Sequence, residues 1–132
     1  ADLQQRLISL YAEGKAQAVH VPSYSAIANP FNSQYQNCTE YTLDVINSAI
    51  YQTQDKAKLK ANAKAHFKPM LVQESPIKIL LGSVVMKDIA RDDHTGPVAT
   101  ATFSSIARYL NENSLLKEAS ILMADGQSQA LM

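Results

Sequence analysis

The feature that most constrains this chain is the stretch YQNCTEYTLDVI, residues 35–46, in which an irregular segment turns into a helix. Upstream, Pro30 stands among Asn and Ser residues that favour turns. Downstream, the apolar residues fall at helical spacing. The only cysteine of the chain, Cys38, lies at this junction. It is therefore either a nucleophile presented at a helix N-terminus or a small residue of the core.

Hydrophobic periodicity predicts helices along most of the chain. The first is about three turns long and ends near Gly14. The second covers residues 39–51 and the third residues 55–67; a fourth begins at Ser75, and a last one is capped by Ser104 or Ser105. The residues predicted to face the core are Leu3, Leu7, Leu10 and Tyr11 in the first helix, Leu59, Ala63 and Phe67 in the third, and Ile106, Tyr109 and Leu110 in the last. The second helix has two neighbouring apolar stripes, one of Leu43, Ile46 and Ile50 and one of Cys38, Thr42, Val45 and Ala49.

Strand signals are fewer. Residues 98–103 alternate apolar and polar side chains and predict one strand, and residues 19–22 are compatible with an extended segment because Pro22 disfavours helical angles before it. Residues 115–124 are ambiguous between helix and strand, and 127–132 are expected to be a frayed tail. The prediction is a single, mostly helical α+β domain over residues 1–132.

Composition excludes several classes of function. Twelve basic residues balance twelve acidic ones, so no overall field attracts nucleic acid or an anionic membrane. The longest apolar run, near residues 79–86, is too short to span a bilayer. One cysteine forbids an internal disulfide and a cysteine-based zinc site, and no cofactor or metal site is predicted. The N-terminal residues do not resemble a signal peptide, which leaves the compartment open.

A reactive cysteine needs a base. A thiolate at a helix N-terminus is stabilised by unpaired N–H groups and the helix dipole, and a histidine normally takes its proton. His20 precedes the segment that leads to Cys38, and His94 follows two aspartates, of which Asp93 is a ready orienting carboxylate. His66, on a basic helix, is set aside. From the local pattern alone, a buried and inert Cys38 is the more common case.

Five lysines lie in or directly after the predicted helix 55–67. Lys56, Lys60 and Lys64 are spaced by four and share a face, which suits lipid phosphates or an acidic partner. Such a row is more often a solvated face whose lysine stems cover apolar neighbours. No interleaved aromatic residues suggest base stacking, so nucleic acid is not an expected partner.

Two motifs carry a resemblance to a known family. The run YSAIANPFNSQYQNC, residues 24–38, followed by a helix, and the later Asp92-Asp93-His94 before an alternating strand, resemble a bacterial family catalogued as a domain of unknown function. The resemblance covers about residues 20–110. Members of that family are mostly predicted to be exported, which implies a periplasmic or otherwise exported protein.

That family is similar to the permuted NlpC-type papain-fold proteins, in which a cysteine that follows an asparagine opens a helix. The resemblance implies part of a papain-like fold, with Cys38 as nucleophile, Asn37 as its neighbour, and Asp93 and His94 as a family element without an assigned role. In the family the histidine strand precedes the equivalent of Leu3. An upstream segment or a partner chain is therefore expected to complete the fold, unless His20 or His94 substitutes or catalysis has been lost.

The resulting expectation is a cysteine hydrolase-like domain, either active or degenerate, that acts on a peptide or another amide in the cell envelope. Cys38 would attack the carbonyl, and N–H groups at the start of the helix would hold the oxyanion. The alternative is a non-catalytic binding or scaffold module in which Cys38 is structural and the aromatic segment 24–35 docks a partner. Contact of the lysine helix with a membrane surface is less favoured than either.

Overall fold

The computed structural model of the chain describes residues 2–72 and 89–131. Within these ranges the protein is an α+β fold with four α-helices, one 3₁₀ helix and two antiparallel two-stranded sheets. The predicted helix from Ser75 lies outside the described residues. The elements, in chain order, are α1 (Leu3–Ala12), the 3₁₀ helix (Lys15–Val19), α2 (Cys38–Tyr51), α3 (Lys56–His66), β1 (Met70–Leu71), β2 (Ala99–Thr100), α4 (Phe103–Glu112), β3 (Ser120–Leu122) and β4 (Ser128–Ala130).

Helix α2 is the centre of the molecule because it contributes to two hydrophobic clusters. Val45 and Ala49 pack against α1, the 3₁₀ helix and α3. Leu43, which is fully buried, packs on the other side with α3 and α4, and Ile46 lies against the same cluster. The predicted stripes are confirmed for Leu43, Val45 and Ala49, which are buried, and for Ile46 and Ile50, which are partly buried, whereas Cys38 is exposed and Thr42 lies in neither cluster. The predicted inner faces of α3 and α4 are confirmed as well, whereas Tyr11 of α1 is exposed.

Capping side chains fix where the helices begin. Asp2, Asn37 and Asp55 each accept a hydrogen bond from the backbone N–H three residues ahead, which pairs one of the free donors of a helix N-terminus. The prediction that Ser104 or Ser105 caps the last helix was wrong. Thr102 is the cap, and Ser105 completes a capping box with it. The helix therefore starts at Phe103, which had been assigned to the preceding strand.

The sheets are small and antiparallel. Met70 pairs with Thr100 and Leu71 with Ala99, so the strand predicted over 98–103 is confirmed only over two residues. Near the C-terminus, β3 pairs with β4 in a hairpin, so residues 128–130 of the expected tail form a strand. The turn contains Gly126 at φ 81°, and Asp125 Oδ1 accepts the Gln127 N–H at 2.9 Å. This Asp-Gly pair is a hairpin signal that outweighs the polar composition of the tail.

Candidate functional site

Cys38 is the first residue of α2 and is exposed. The buried side chain of Asn37 caps the helix, because its Oδ1 accepts the Glu40 N–H at 2.8 Å. Its Nδ2 donates to the Ala26 carbonyl and to Thr100 Oγ1, both at 3.0 Å. Asn37 thus joins the helix, the preceding segment and strand β2. Its amide is used for these contacts, which fix the place of the cysteine beside it.

The exposure of Cys38 separates it from the apolar stripe to which the sequence had assigned it. Val45, about two helical turns further along the same face, is buried in the core, while the Cys38 Sγ lies 3.9 Å from Thr39 Oγ1. Among the described residues, the sulfur forms no hydrogen bond with a histidine. A thiol in this position is open to reagents, and it requires a base that approaches from the same surface.

One histidine shares a groove with Cys38. The groove has a volume of about 250 Å³ and is lined by His20, Val21, Pro22, Tyr24, Gln36, Asn37, Cys38 and Tyr41. The His20 ring lies edge-on to the Tyr41 ring, with a centroid separation of 6.2 Å and an interplanar angle of 83°. Tyr41 is in turn held by a hydrogen bond from its hydroxyl to the Ala16 carbonyl. The structure therefore brings His20 and Cys38 to one surface without a direct hydrogen bond between them.

The first turn of α2 leaves two backbone donors beside the sulfur. Glu40 N–H is taken by the Asn37 side chain, and Tyr41 N–H donates to the Asn37 carbonyl. Within the described part of the chain, the N–H groups of Cys38 and Thr39 donate to no protein atom. Free N–H groups at a helix N-terminus bind negative charge. They are suitably placed for an oxyanion that forms next to Cys38.

Behind this turn lies a buried charge cluster. The Lys60 Nζ is 2.6 Å from Glu40 Oε1 and 2.8 Å and 3.0 Å from the two carboxylate oxygens of Asp44. All three side chains are buried. Glu40 Oε2 accepts no hydrogen bond from any described residue. One lysine therefore serves two carboxyl groups, and a second negative charge here lacks a partner.

Burial decides the protonation of this cluster. Loss of hydration raises the pKa of Glu40 to about 8, and the nearby Lys60 offsets only part of that effect. Burial also raises the pKa of Asp44, again against the attraction of Lys60. Since an unpaired buried charge is costly, the cluster holds one proton near neutral pH. It is then an ion pair with one neutral carboxylic acid.

Gln36 connects this cluster to the groove. Its Nε2 donates to Asp44 Oδ2 at 2.9 Å and to the Val19 carbonyl at 3.0 Å. Its Oε1 accepts the Val21 N–H at 2.9 Å. The two backbone groups are those on either side of His20. Lys56 adds a hydrogen bond from its Nζ to the His20 carbonyl itself.

Asp93 and His94 lie elsewhere and hold the segment that precedes Cys38. Asp93 Oδ2 accepts the Asn29 N–H at 2.7 Å, and the Asp93 carbonyl accepts from Asn29 Nδ2 and Asn32 Nδ2. His94 Nε2 is 2.7 Å from the Ile27 carbonyl. A carbonyl only accepts, so this nitrogen carries the proton.

The same nitrogen lies 3.3 Å from Asp93 Oδ1. Its N–H points to the Ile27 carbonyl instead, and Oδ1 has no hydrogen-bond partner among the described residues. Neither Asp93 nor His94 is among the described residues that line the Cys38 groove. These contacts anchor the segment between His20 and Cys38 to the loop that precedes strand β2.

The lysine row predicted on α3 does not form one solvated or lipid-facing surface, because Lys60 is buried with Glu40 and Asp44. Lys64 and His66 on the same helix are exposed. No cluster of three or more metal-binding side chains occurs among residues 2–72 and 89–131. In the same ranges, no helix combines the length and the apolar character that crossing a membrane requires.

The buried polar network of Gln36, Glu40, Asp44 and Lys60 was not predicted from the sequence. Glu40 and Asp44 are four residues apart and therefore share a face of α2, and this face is buried in the structure. That spacing was the available signal. Lys60 directly follows the buried Leu59, but a lysine is expected to extend to solvent, and the row of lysines favoured that interpretation. Gln36 carried no periodic signal.

Comparison with known proteins gives one match. The family described as "Uncharacterized protein conserved in bacteria (DUF2145)" matches residues 1–110. The chain belongs to this family. The match confirms the expected bacterial family of unknown function and includes every predicted site residue, whereas the hairpin formed by β3 and β4 lies beyond it. Neither the curated proteins nor the solved structures contain a significant match.

Proposed function

We propose that this protein is a thiol-dependent hydrolase of amides or esters in the bacterial cell envelope, with Cys38 as the nucleophile and His20 as the base. The observation that carries the proposal is the shared groove, which is lined by both an exposed cysteine at the N-terminus of a capped helix and an exposed histidine. Hydrogen bonds between catalytic groups are often long in the free protein and tighten when substrate binds.

The proposed reaction has two steps. His20 takes the thiol proton, the sulfur attacks the substrate carbonyl, and the negative oxygen is held by the N–H groups of Cys38 and Thr39. When this intermediate collapses, the bond to the leaving amine or alcohol breaks and His20 returns the proton to it. A water molecule, deprotonated by His20, then attacks the thioester and releases the acid and the thiol.

The other predicted residues have supporting roles in this proposal. Asn37 holds the helix N-terminus in place, and Asp93 and His94 anchor the preceding segment. The papain-like relationship remains a proposal that rests on the Asn37-Cys38 pair and the helix that follows it. The exported location remains a proposal that rests on the family resemblance.

The experiment is acylation of the full chain by a p-nitrophenyl ester, with intact-mass detection of the thioester. We expect one acyl group on the wild type, none on Cys38→Ser, and slower acylation of His20→Ala by about 100-fold, the lower end for general base catalysis. His66→Ala is the matched control, because it removes an exposed histidine elsewhere. Acylation that is equal in His20→Ala and His66→Ala would reject His20 as the base, and no acylation of the wild type by esters or activated amides would reject the hydrolase.

A binding or scaffold module is the second candidate. It is favoured by the hydrogen bonds that fasten the segment between His20 and Cys38, and by Tyr24, whose ring is half exposed in that segment. In this case Cys38 would be exposed but without a chemical role. The acylation experiment separates the two candidates, since a scaffold would give the slow reaction of an ordinary surface thiol.

A further inference from the structure

We infer that Gln36 is a positioning residue that sets His20 against the N-terminus of α2, and that the buried Lys60 cluster holds Gln36 for this purpose. The inference rests on the proposed function for its chemical consequence, since it concerns the geometry of the Cys38–His20 pair. Its structural part, the placement of His20 by Gln36, stands on contacts of its own.

The contacts define a continuous path from the helix to the histidine. Lys60 binds both acidic residues of α2, and Asp44 accepts a hydrogen bond from Gln36. The same Gln36 amide binds the backbone immediately before and after His20, at Val19 and Val21. Since Val19 and Val21 are buried, the backbone of His20 is fixed on both sides while its side chain remains exposed.

Gln36 cannot itself serve the reaction as a donor to substrate. Its side chain is buried, both protons of its amide nitrogen are used, and its oxygen is occupied by the Val21 N–H. An amide suits this position because it supplies two donors and one acceptor at once. A carboxylate supplies no donor and would add a third carboxyl group beside the single lysine.

The placement matters because His20 has few other fixed contacts. Its ring meets Tyr41 edge-on, and its carbonyl accepts from Lys56. A base displaced by about 1 Å loses on the order of 100-fold in rate. An exposed histidine on an untethered segment would sample many positions, whereas one that is held at both flanking peptides keeps a defined distance to Cys38.

The test uses the full chain in four forms: wild type, Gln36→Glu, the double variant Gln36→Glu/Asp44→Asn, and Gln34→Glu. The single variant removes two hydrogen bonds and adds a carboxylate to the cluster. The double variant keeps the number of carboxyl groups constant and restores a donor–acceptor pair between positions 36 and 44. Gln34→Glu is the matched control, because Gln34 is exposed on the same segment.

The first readout is the NMR shift of the His20 ring protons, which we expect the neighbouring Tyr41 ring to displace from the position typical of the exposed His66. His20→Ala assigns the signals, and circular dichroism selects a temperature at which every form is folded. We expect the displacement to disappear in Gln36→Glu, to return at least in part in the double variant, and to persist in Gln34→Glu. A displacement that persists in folded Gln36→Glu would overturn the inference. If Gln36→Glu does not fold, the double variant alone decides, and it must retain the displacement.

The second readout is the factor by which His20→Ala slows iodoacetamide alkylation of Cys38 at pH 7. We expect a factor of about 10 or more in the wild-type background, a modest share of the usual general-base effect, and a factor near 1 when Gln36→Glu is present. A stabilising role alone would leave this factor unchanged in the folded protein, and that result would overturn the positioning role. A wild type without any His20 effect would reject the proposed function, while the NMR readout would still decide whether Gln36 places His20.

Discussion

The substitution Glu40→Gln tests the buried cluster behind the candidate site. Glu40 has no exposed surface, and its pKa is raised to about 8 from the ordinary 4.5 because burial removes its hydration. The folded protein therefore retains a proton that the unfolded chain releases near pH 4.5. Between these two values the native state binds more protons, so stability falls as pH rises.

The size of the change in stability follows from the difference between the pKa of Glu40 in the folded protein and in the unfolded chain. Each pKa unit corresponds to about 1.4 kcal/mol, so this group lowers the free energy of unfolding by about 3 kcal/mol between pH 5 and pH 8. Glutamine retains an acceptor for Lys60 and does not titrate. At pH 5 it replaces a neutral acid, and we expect the variant and the wild type to agree within about 1 kcal/mol. At pH 8 the variant should be the more stable protein by about 2 to 3 kcal/mol.

The assay is urea unfolding at half-unit intervals from pH 5 to pH 8.5, followed by circular dichroism. Glu13→Gln is the matched control, because Glu13 is an exposed glutamate paired with Lys15 at the surface. Its unfolding curve should keep the pH dependence of the wild type. A wild type whose stability is flat or rises over this range, or a Glu40→Gln variant with the wild-type slope, would refute a protonated Glu40 in the cluster.

Three further predictions concern the fold. Leu43→Ala should lower the free energy of unfolding by about 3 kcal/mol in urea titrations, because Leu43 is fully buried. The control is Leu122→Ala, at a residue that is 76% exposed; an equal loss of stability in the two variants would contradict the central place of α2. Asp93→Ala leaves the Asn29 N–H without its acceptor and should cost about 1 to 3 kcal/mol in the same assay; an equal loss in Asp92→Ala, at an exposed position, would contradict the anchoring role. Removal of residues 115–132 should shift the thermal midpoint of unfolding by no more than about 5 °C, roughly 1 kcal/mol. The reason is that the strands β3 and β4 are exposed and pair with each other. Loss of cooperative unfolding in the shortened chain would refute the independence of this hairpin.

The parts of the fold that the sequence predicted are those governed by periodic burial. Leu43 and Val45 belong to different stripes of α2, and each packs in a different cluster, as their spacing indicated. Strand lengths and helix starts were less predictable, since Thr102 and Phe103 alternate like strand residues although a capping box begins the helix there. Local hydrogen bonding overrides the pattern at that point.

The candidate site was predictable in its nucleophile and less so in its surroundings. Cys38 and Asn37 were identified from a loop-to-helix transition, which is a local signal. The contacts of Gln36 with Asp44 and with the backbone beside His20 join residues that the chain pattern does not relate. His94 and His20 were equivalent candidates in sequence, and only three-dimensional packing shows that His20 lines the groove of Cys38.

The most direct test of the account is the rate of Cys38 alkylation by iodoacetamide between pH 5 and pH 9, in the wild type and in His20→Ala. Because the chain has one cysteine, the label reports on this sulfur alone. We predict that the wild type reacts measurably below pH 7 and that His20→Ala loses this reactivity while His66→Ala keeps it. Identical curves for the wild type and His20→Ala, both following an unassisted surface thiol, would contradict a Cys38–His20 pair.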